Sequence, residues 1–249
     1  MNYKLLFDTA VLAGEILIKN GAETYRTEDT MTRILNKAGV ETAQVLVIMT
    51  GFMVTLDDPS MGDALTAVRR ITSRGTNLEK IETVNRISRK FCQDKMSLED
   101  AFKEMNNLLN EEEKPKRNYL PLMMINAGFA IMFGGSVMEA AISALAGLIT
   151  AEILNLCRKR NVHMFLENLF ASVAIAIVVG VVVLINPGLY DKDLMIVSSI
   201  MPLVPGAAIT NAVFDTLHGD YISGVARTAE AFMIASAVAI GIGLGLIVI

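Results

Sequence analysis

Residues 120–157 read LPLMMINAGFAIMFGGSVMEAAISALAGLITAEILNLC, and this run decides the class of protein. Its 38 residues include only two charged side chains, Glu139 and Glu152. A membrane span needs about 20 apolar residues, so the run is too long for a single helix. Gly134-Gly135-Ser136 divides it. We therefore predict a hairpin of two short membrane helices, with a re-entrant hairpin that does not fully cross as the alternative.

Charge is distributed unevenly along the chain. Of the 48 Lys, Arg, Asp and Glu residues, 35 lie within the first 117 residues. That part can be solvated on its own, whereas the remainder is too poor in charge for a soluble domain. We predict an α+β cytosolic domain at residues 1–117, followed at residues 118–249 by an all-α transmembrane bundle of about five helices. The net charge of −4 gives no reason to expect a nucleic-acid partner.

The five predicted spans cover about residues 119–134, 137–157, 167–186, 194–212 and 228–249. Basic residues flank them at Lys114, Lys116 and Arg117, at Arg158–Arg160, and at Arg227. Because basic residues concentrate on the cytoplasmic side of membrane proteins, these flanks predict a cytoplasmic N-terminus. With five spans, the C-terminus is then expected outside the cell.

The first 117 residues show the spacing of a small α+β domain. Apolar periodicity and turn residues predict helices at 7–19, 23–38, 78–92 and 97–109, and strands at 44–50, 52–57 and 64–72. The two histidines of the chain, His163 and His218, lie outside this domain, and no phosphate-binding loop is present. We therefore expect no enzyme, no metal site and no cofactor, although a carboxylate or Lys/Ser mechanism stays open.

The fourth predicted span is interrupted by Pro202-Leu203-Val204-Pro205-Gly206. Each proline removes a backbone donor and clashes with the preceding turn. Non-helical backbone at membrane depth is tolerated only inside protein or against a water-filled cavity, and broken helices form substrate and ion sites in transporters. We predict such a site at Pro202, Pro205 and Gly206, with a simple proline kink as the alternative.

Ionisable side chains within a bilayer are costly and are candidates for function. Glu152 is a candidate proton carrier, with snorkelling to Arg158–Arg160 as the alternative. Glu139 is a candidate gate or proton-release group at the outer side, unless it only begins a wetted helix. Asn126 is a candidate ligand, unless it only joins two helices.

Polar residues after the broken segment form a second group of candidates. Arg227 and Glu230 are spaced i,i+3, so a helix places them on one face. Arg227 is a candidate for binding a substrate carboxylate and Glu230 for accepting an ammonium or a proton, with a structural ion pair as the alternative. Asn211 and Asp215, spaced i,i+4, are predicted to line the same inner vestibule.

Three stretches carry a resemblance to a known family: residues 14–31 (GEILIKNGAETYRTEDTM), residues 133–136 (FGGS), and the region from Pro202 to Glu230. Together they resemble the threonine/serine exporter family of bacterial inner-membrane proteins, over about residues 5–246. The resemblance implies secondary transport of small amino acids out of the cell. The resemblance also implies that Glu23 and Arg26 dock against the membrane half or gate its inner mouth. The alternative is that these two residues only cap a helix and lie on the solvated surface.

Single-chain members of that family carry about ten spans, and this chain is expected to stop after five. It therefore resembles the larger component of a split exporter, similar to paired systems for dicarboxylates such as succinate. The implied partner is a smaller membrane protein of four or five spans, and a homo-oligomer is left open. We expect a proton-coupled exporter of threonine and serine or of small dicarboxylates in the bacterial inner membrane. The competing interpretation is a membrane-tethered sensor or scaffold without transport.

Overall fold

The computed structural model describes residues 2–111, 119–160 and 162–248. The structure is 70% helical, and its described residues contain one small sheet. In chain order the elements are α1 (Tyr3–Lys19), α2 (Thr24–Asn36), β1 (Thr42–Ile48), β2 (Gly51–Asp57), β3 (Leu65–Arg70), α3 (Leu78–Cys92), α4 (Leu98–Asn110), α5 (Tyr119–Met132), α6 (Val137–Lys159), α7 (Met164–Ile185), α8 (Lys192–Ile200), a 3-10 turn (Met201–Leu203), α9 (Gly206–Leu217) and α10 (Tyr221–Ile247). The helices and strands predicted before residue 111 all form.

The number of membrane helices differs from the prediction. Among the described residues, α6, α7 and α10 are long and apolar enough to cross a membrane, and α8 with α9 make a fourth span if this bent pair counts as one. The predicted fold class, an α+β domain followed by about five transmembrane helices, is therefore wrong. The chain is helix-rich, and its described residues contain three or four apolar spans.

Helix α5 explains part of the difference. Its 14 residues make a helix about 21 Å long, shorter than the roughly 30 Å hydrocarbon core of a bilayer. The helix ends where Gly134 takes a φ of +88° and Gly135 N–H donates to the Ala130 carbonyl at 2.9 Å. The sequence is poor in charge here, but the turn comes too early for a full span.

The break in the fourth predicted span is confirmed. Helix α8 ends at Ile200, a single 3-10 turn follows, and α9 begins at Gly206 at an angle of 55°. Pro202 and Pro205 have no backbone N–H, so α8 cannot continue through them with its regular hydrogen bonds.

The chain forms two compact units that are not contiguous in sequence. The first unit contains residues 1–113 and 210–227, and the second contains residues 114–209 and 228–249. Most of α9 and the first two turns of α10 thus belong with the N-terminal residues. The boundary predicted at residue 117 lies outside the described residues.

The core of the first unit is built on α1, which is buried on most of its surface. The strands form an antiparallel sheet in the order β1-β2-β3. Alternation along β2 turns Phe52, Val54 and Leu56 inward, because successive side chains of a strand point to opposite faces. Helices α2, α3 and α4 add apolar side chains to the same core.

Close approaches at small residues hold the second unit together. A Cβ added to Gly147 of α6 would lie 2.9 Å from the Leu122 carbonyl oxygen and from Asn126 Nδ2 on α5. A Cβ added to Gly241 of α10 would lie 2.6 Å from the Leu169 carbonyl oxygen on α7. In lipid, such contacts allow helices to gain dispersion energy that the solvent does not supply.

Candidate functional site

A helical hairpin in the first unit brings the polar residues of the 202–230 region together. This α9–α10 hairpin, residues 210–227, turns at Gly219, whose φ of +89° suits glycine. Ser223 N–H donates to Asp220 Oδ1 at 3.2 Å in the first turn of α10. A Cβ on Gly224 would lie 2.2 Å from Thr216 Oγ1, so the two helices touch where they diverge.

Asp215 is fully buried, and both of its carboxylate oxygens accept hydrogen bonds. Its Oδ1 accepts from Thr24 Oγ1 at 2.7 Å and from Thr24 N–H at 3.3 Å. Its Oδ2 accepts from Arg227 Nε at 2.7 Å. The carboxylate thus joins the start of α2 to the first turns of α10.

Arg227 completes the arrangement with only 7% of its surface exposed. Its Nη2 donates to the Ala22 carbonyl at 2.9 Å. Ala22 is presented by the turn after α1, where Gly21 takes a φ of +87°. We call Ala22, Thr24, Asp215 and Arg227 the Asp215–Arg227 cluster.

Two further contacts within the first unit hold the hairpin. The Tyr25 ring stacks on the His218 ring, with centroids 3.9 Å apart and planes 3° from parallel. Met49 N–H, in the turn between β1 and β2, donates to Ser223 Oγ at 3.0 Å. The hairpin is therefore fixed by residues 22–25 on one side and by the β-turn on the other.

The electrostatics of the cluster make it sensitive to the loss of any member. A buried ion pair is tolerated when hydrogen bonds satisfy the atoms of both partners, and removing one partner leaves an uncompensated charge. Here the carboxylate accepts three hydrogen bonds, and the guanidinium donates to both a carboxylate and a carbonyl. A ligand carboxylate that reached Arg227 would compete directly with Asp215.

The other predicted residues near the cluster take different positions. Glu23 lies between two cluster members and pairs with Arg26 at 3.4 Å, where the Arg26 side chain is half exposed. Asn211 lies one turn before Asp215 and is half-buried. Glu230 is half-buried in the part of α10 that belongs to the second unit.

Glu139, in the second unit, is held by three hydrogen bonds. Its Oε2 accepts from Ser136 N–H at 2.7 Å and from Ser136 Oγ at 2.8 Å, which caps the start of α6. Its Oε1 accepts from Asp191 N–H at 2.7 Å. Glu139 thus ties the turn before α6 to the start of α8.

Glu152 lies further along α6, and Asn126 lies on the neighbouring helix α5. Glu152 is exposed on the surface of the described structure and accepts a hydrogen bond from the Tyr119 hydroxyl. Asn126 is fully buried, and its Nδ2 donates to the Ser143 carbonyl at 3.3 Å. The structure thus separates Glu139, Asn126 and Glu152, while it brings Asp215 and Arg227 together.

Sequence reasoning missed the residues that complete these contacts. Thr24 and Ser223 lie inside the stretches that carry the family resemblance, but neither was singled out. Tyr119 was not linked to Glu152, 33 residues later. These partners lie far apart in sequence, so spacing along the chain gave no signal for them.

Comparison with known proteins gives consistent results. The family model ThrE, described as a threonine/serine exporter, matches residues 8–249. The protein named "Probable succinate transporter subunit YjjP" is 23% identical in Klebsiella aerogenes, over 91% of this chain and 87% of its own length. Its Escherichia coli namesake is 22% identical, over 95% of this chain and 91% of its own. The "Probable threonine/serine exporter" of Mycobacterium tuberculosis is 18% identical over 97% of this chain, which spans 46% of that protein. No solved structure matches significantly.

Proposed function

The chain belongs to the threonine/serine exporter family, and from this premise we propose that it is a membrane subunit of a secondary exporter. Its substrates are threonine and serine or a small dicarboxylate such as succinate, the two kinds of cargo in the names of its relatives. The family consists of transporters, so the role assigned is transport and not catalysis.

One observation carries the mechanism. Two of the three stretches of the resemblance meet in the buried Asp215–Arg227 cluster, where Thr24 binds Asp215, 191 residues later in the sequence. The hairpin held there is continuous with the broken α8–α9 segment at one end and with apolar α10 at the other. A movement of the hairpin is therefore transmitted along the chain into both, and we assign the cluster the role of an inner gate. Glu23 lies between two residues of this gate in sequence, and Arg26 follows them.

Proton coupling is assigned to Glu152. It is a carboxylate in the interior of α6, and it accepts a hydrogen bond from the Tyr119 hydroxyl. Glu139 is less suited to carry a proton, because three donors already occupy its oxygens. A carboxylate that changes protonation within a span is a recurring element of proton relays.

We further propose a smaller membrane partner of four or five spans, since two relatives are named as transporter subunits. The basic run Arg158, Lys159 and Arg160 at the end of α6 favours a cytoplasmic location for that end of the helix. We propose that the first unit lies on the same, cytoplasmic side of the bacterial inner membrane.

Efflux from preloaded cells tests this function. Cells that express the chain with its partner are loaded with labelled threonine, serine or succinate, and initial efflux rates are compared with those of cells expressing either protein alone. We expect faster efflux of at least one substrate when both are present. Unchanged efflux of all three, with both proteins inserted, would refute the assigned substrates and favour the sensor or scaffold.

A further inference from the structure

Helices α5, α6 and α8, which pack against one another, carry five fully buried polar side chains. We call this set the polar seam; its members are Asn126, Ser143, Thr150, Ser198 and Ser199. All five lie in the second unit, among otherwise apolar helices. None of them carries a charge.

The contacts of the seam join the three helices directly. Asn126 Nδ2 of α5 donates to the Ser143 carbonyl of α6, and Ser143 Oγ lies 3.0 Å from Ser198 Oγ of α8. Ser143, Gly147 and Thr150 are spaced i, i+4 and i+7, so they share one face of α6. Gly147 packs against Asn126, which shows that this face meets α5.

Three oxygen atoms of the seam lack a hydrogen-bond partner in the structure: Asn126 Oδ1, Thr150 Oγ1 and Ser199 Oγ. All three belong to side chains with no exposed surface. Native proteins rarely leave buried polar atoms unsatisfied, because their desolvation is then uncompensated. Helix–helix adhesion accounts for the Asn126–Ser143 and Ser143–Ser198 contacts, but not for these three oxygens.

The backbone at the end of α8 adds negative potential to the seam. Pro202 has no N–H, so the Ser198 carbonyl cannot receive the hydrogen bond that a continuing helix would supply. Ser198 and Ser199 lie in the last turn of α8, whose C-terminal end is the negative end of the helix dipole. A cation is favoured at this position and an anion is not.

We infer that the polar seam binds one Na⁺ ion. Hydroxyl, amide and carbonyl oxygens are hard, neutral ligands that suit an alkali cation, whereas Ca²⁺ and Mg²⁺ sites use carboxylates. Unwound backbone and helix C-terminal ends supply such ligands in transporters with broken helices. The seam contains no titratable side chain, so this site is separate from the proton carrier assigned above and does not depend on that assignment.

The site differs from what the sequence predicted. No metal site was expected, and the described residues contain no group of three or more His, Cys, Asp or Glu residues that could hold a metal. Those residue types supply charged or soft ligands. The seam is built of neutral oxygens instead, so residue types typical of metal sites do not reveal it.

Thermal unfolding of the purified full-length chain in detergent tests the inference. The midpoint is measured in NaCl and in N-methyl-D-glucamine chloride at equal ionic strength, with KCl and LiCl as further arms. A ligand that binds only the folded protein raises the midpoint as its concentration rises. We expect such a rise with Na⁺; equal midpoints in all four salts would overturn the site.

Two conservative variants locate the binding. Ser199→Ala and Thr150→Val each remove an unpartnered hydroxyl, so both are expected to be as stable as the wild type, or more so, without Na⁺. Both are expected to lose the Na⁺-dependent rise. Ser172→Ala is the matched control, because Ser172 is also fully buried but donates to Asn168 of its own helix α7 at 2.7 Å. A rise retained in both seam variants, or lost equally in Ser172→Ala, would contradict the proposal.

Discussion

Arg227 and Asp215 illustrate how a charge can be recognised in sequence while its partner is not. Helical spacing pointed to Glu230 as the neighbour of Arg227, but the guanidinium binds Asp215, 12 residues earlier across the hairpin turn. It also reaches the Ala22 carbonyl, 205 residues away in sequence. The preference of Arg227 for a carboxylate was predictable from its chemistry. The identity of that carboxylate depends on tertiary structure, which spacing along one helix does not contain.

At this scale we predict that Asp215→Ala lowers the free energy of unfolding by about 3–5 kcal/mol, because it leaves the Arg227 guanidinium buried without its counter-charge. Denaturant unfolding of the purified chain measures the loss. Adding Arg227→Met to Asp215→Ala is expected to recover part of it, since no unpaired charge then remains buried.

The exposed pair Asp29–Arg33 is the matched control, with an N–O distance of 2.8 Å but with both side chains more than half exposed. Solvent screens such pairs, so Asp29→Ala is expected to cause no measurable loss. Equal losses for Asp215→Ala and Asp29→Ala would show that the cluster does not stabilise the first unit.

At the scale of elements, the sequence predicted where helices begin and end better than whether they cross a membrane. The apolar periodicity of residues 1–110 predicted four helices and three strands, because each of these elements buries apolar side chains in a common core. The turn after α5 was also predicted at Gly134–Ser136. The low charge content of residues 118–249 nevertheless led to a prediction of too many spans, because composition does not reveal that α5 ends after 14 residues.

Close packing of α5 on α6 gives a second prediction. Gly147→Ala is expected to destabilise the chain by about 1–3 kcal/mol, because the new Cβ would lie 2.9 Å from both the Leu122 carbonyl oxygen and Asn126 Nδ2. Gly128→Ala, on α5, is the control, since its Cβ would meet nothing within 4 Å. Alanine is favoured over glycine within a helix by about 1 kcal/mol, so Gly128→Ala is not expected to lower the stability. Thermal unfolding of the two variants measures the difference. A smaller loss of stability for Gly147→Ala than for Gly128→Ala would contradict this packing.

The broken helix gives a third prediction. In Pro202→Ala/Pro205→Ala both backbone donors return, so α8 can continue towards α9. We expect unchanged or higher thermal stability together with a loss of efflux, measured per inserted molecule. Pro121→Ala is the matched control, because a proline in the first turn of α5 removes no helical hydrogen bond. Normal efflux in the double variant would mean that the break serves packing and not transport.

At the scale of the whole molecule, the two units interleave along the chain. Residues 210–227 belong to the first unit, although apolar residues of the second unit precede and follow them. The sequence predicted a simple order of soluble part and then membrane part, because composition averages over long windows and a short polar hairpin does not alter that average. Because of this interleaving, the proposed gate in the first unit is covalently continuous, through α9 and α10, with residues of the second unit.

Efflux from proteoliposomes shows whether the Asp215–Arg227 cluster gates export, as we propose. Vesicles containing the partner with the wild type, Asp215→Asn or Asp29→Asn are loaded with the substrate identified in cells, and efflux is normalised to correctly inserted protein. We predict that Asp215→Asn changes the efflux rate about tenfold, a typical size for coupling between sites, while Asp29→Asn matches the wild type. Equal rates for all three proteins would contradict it.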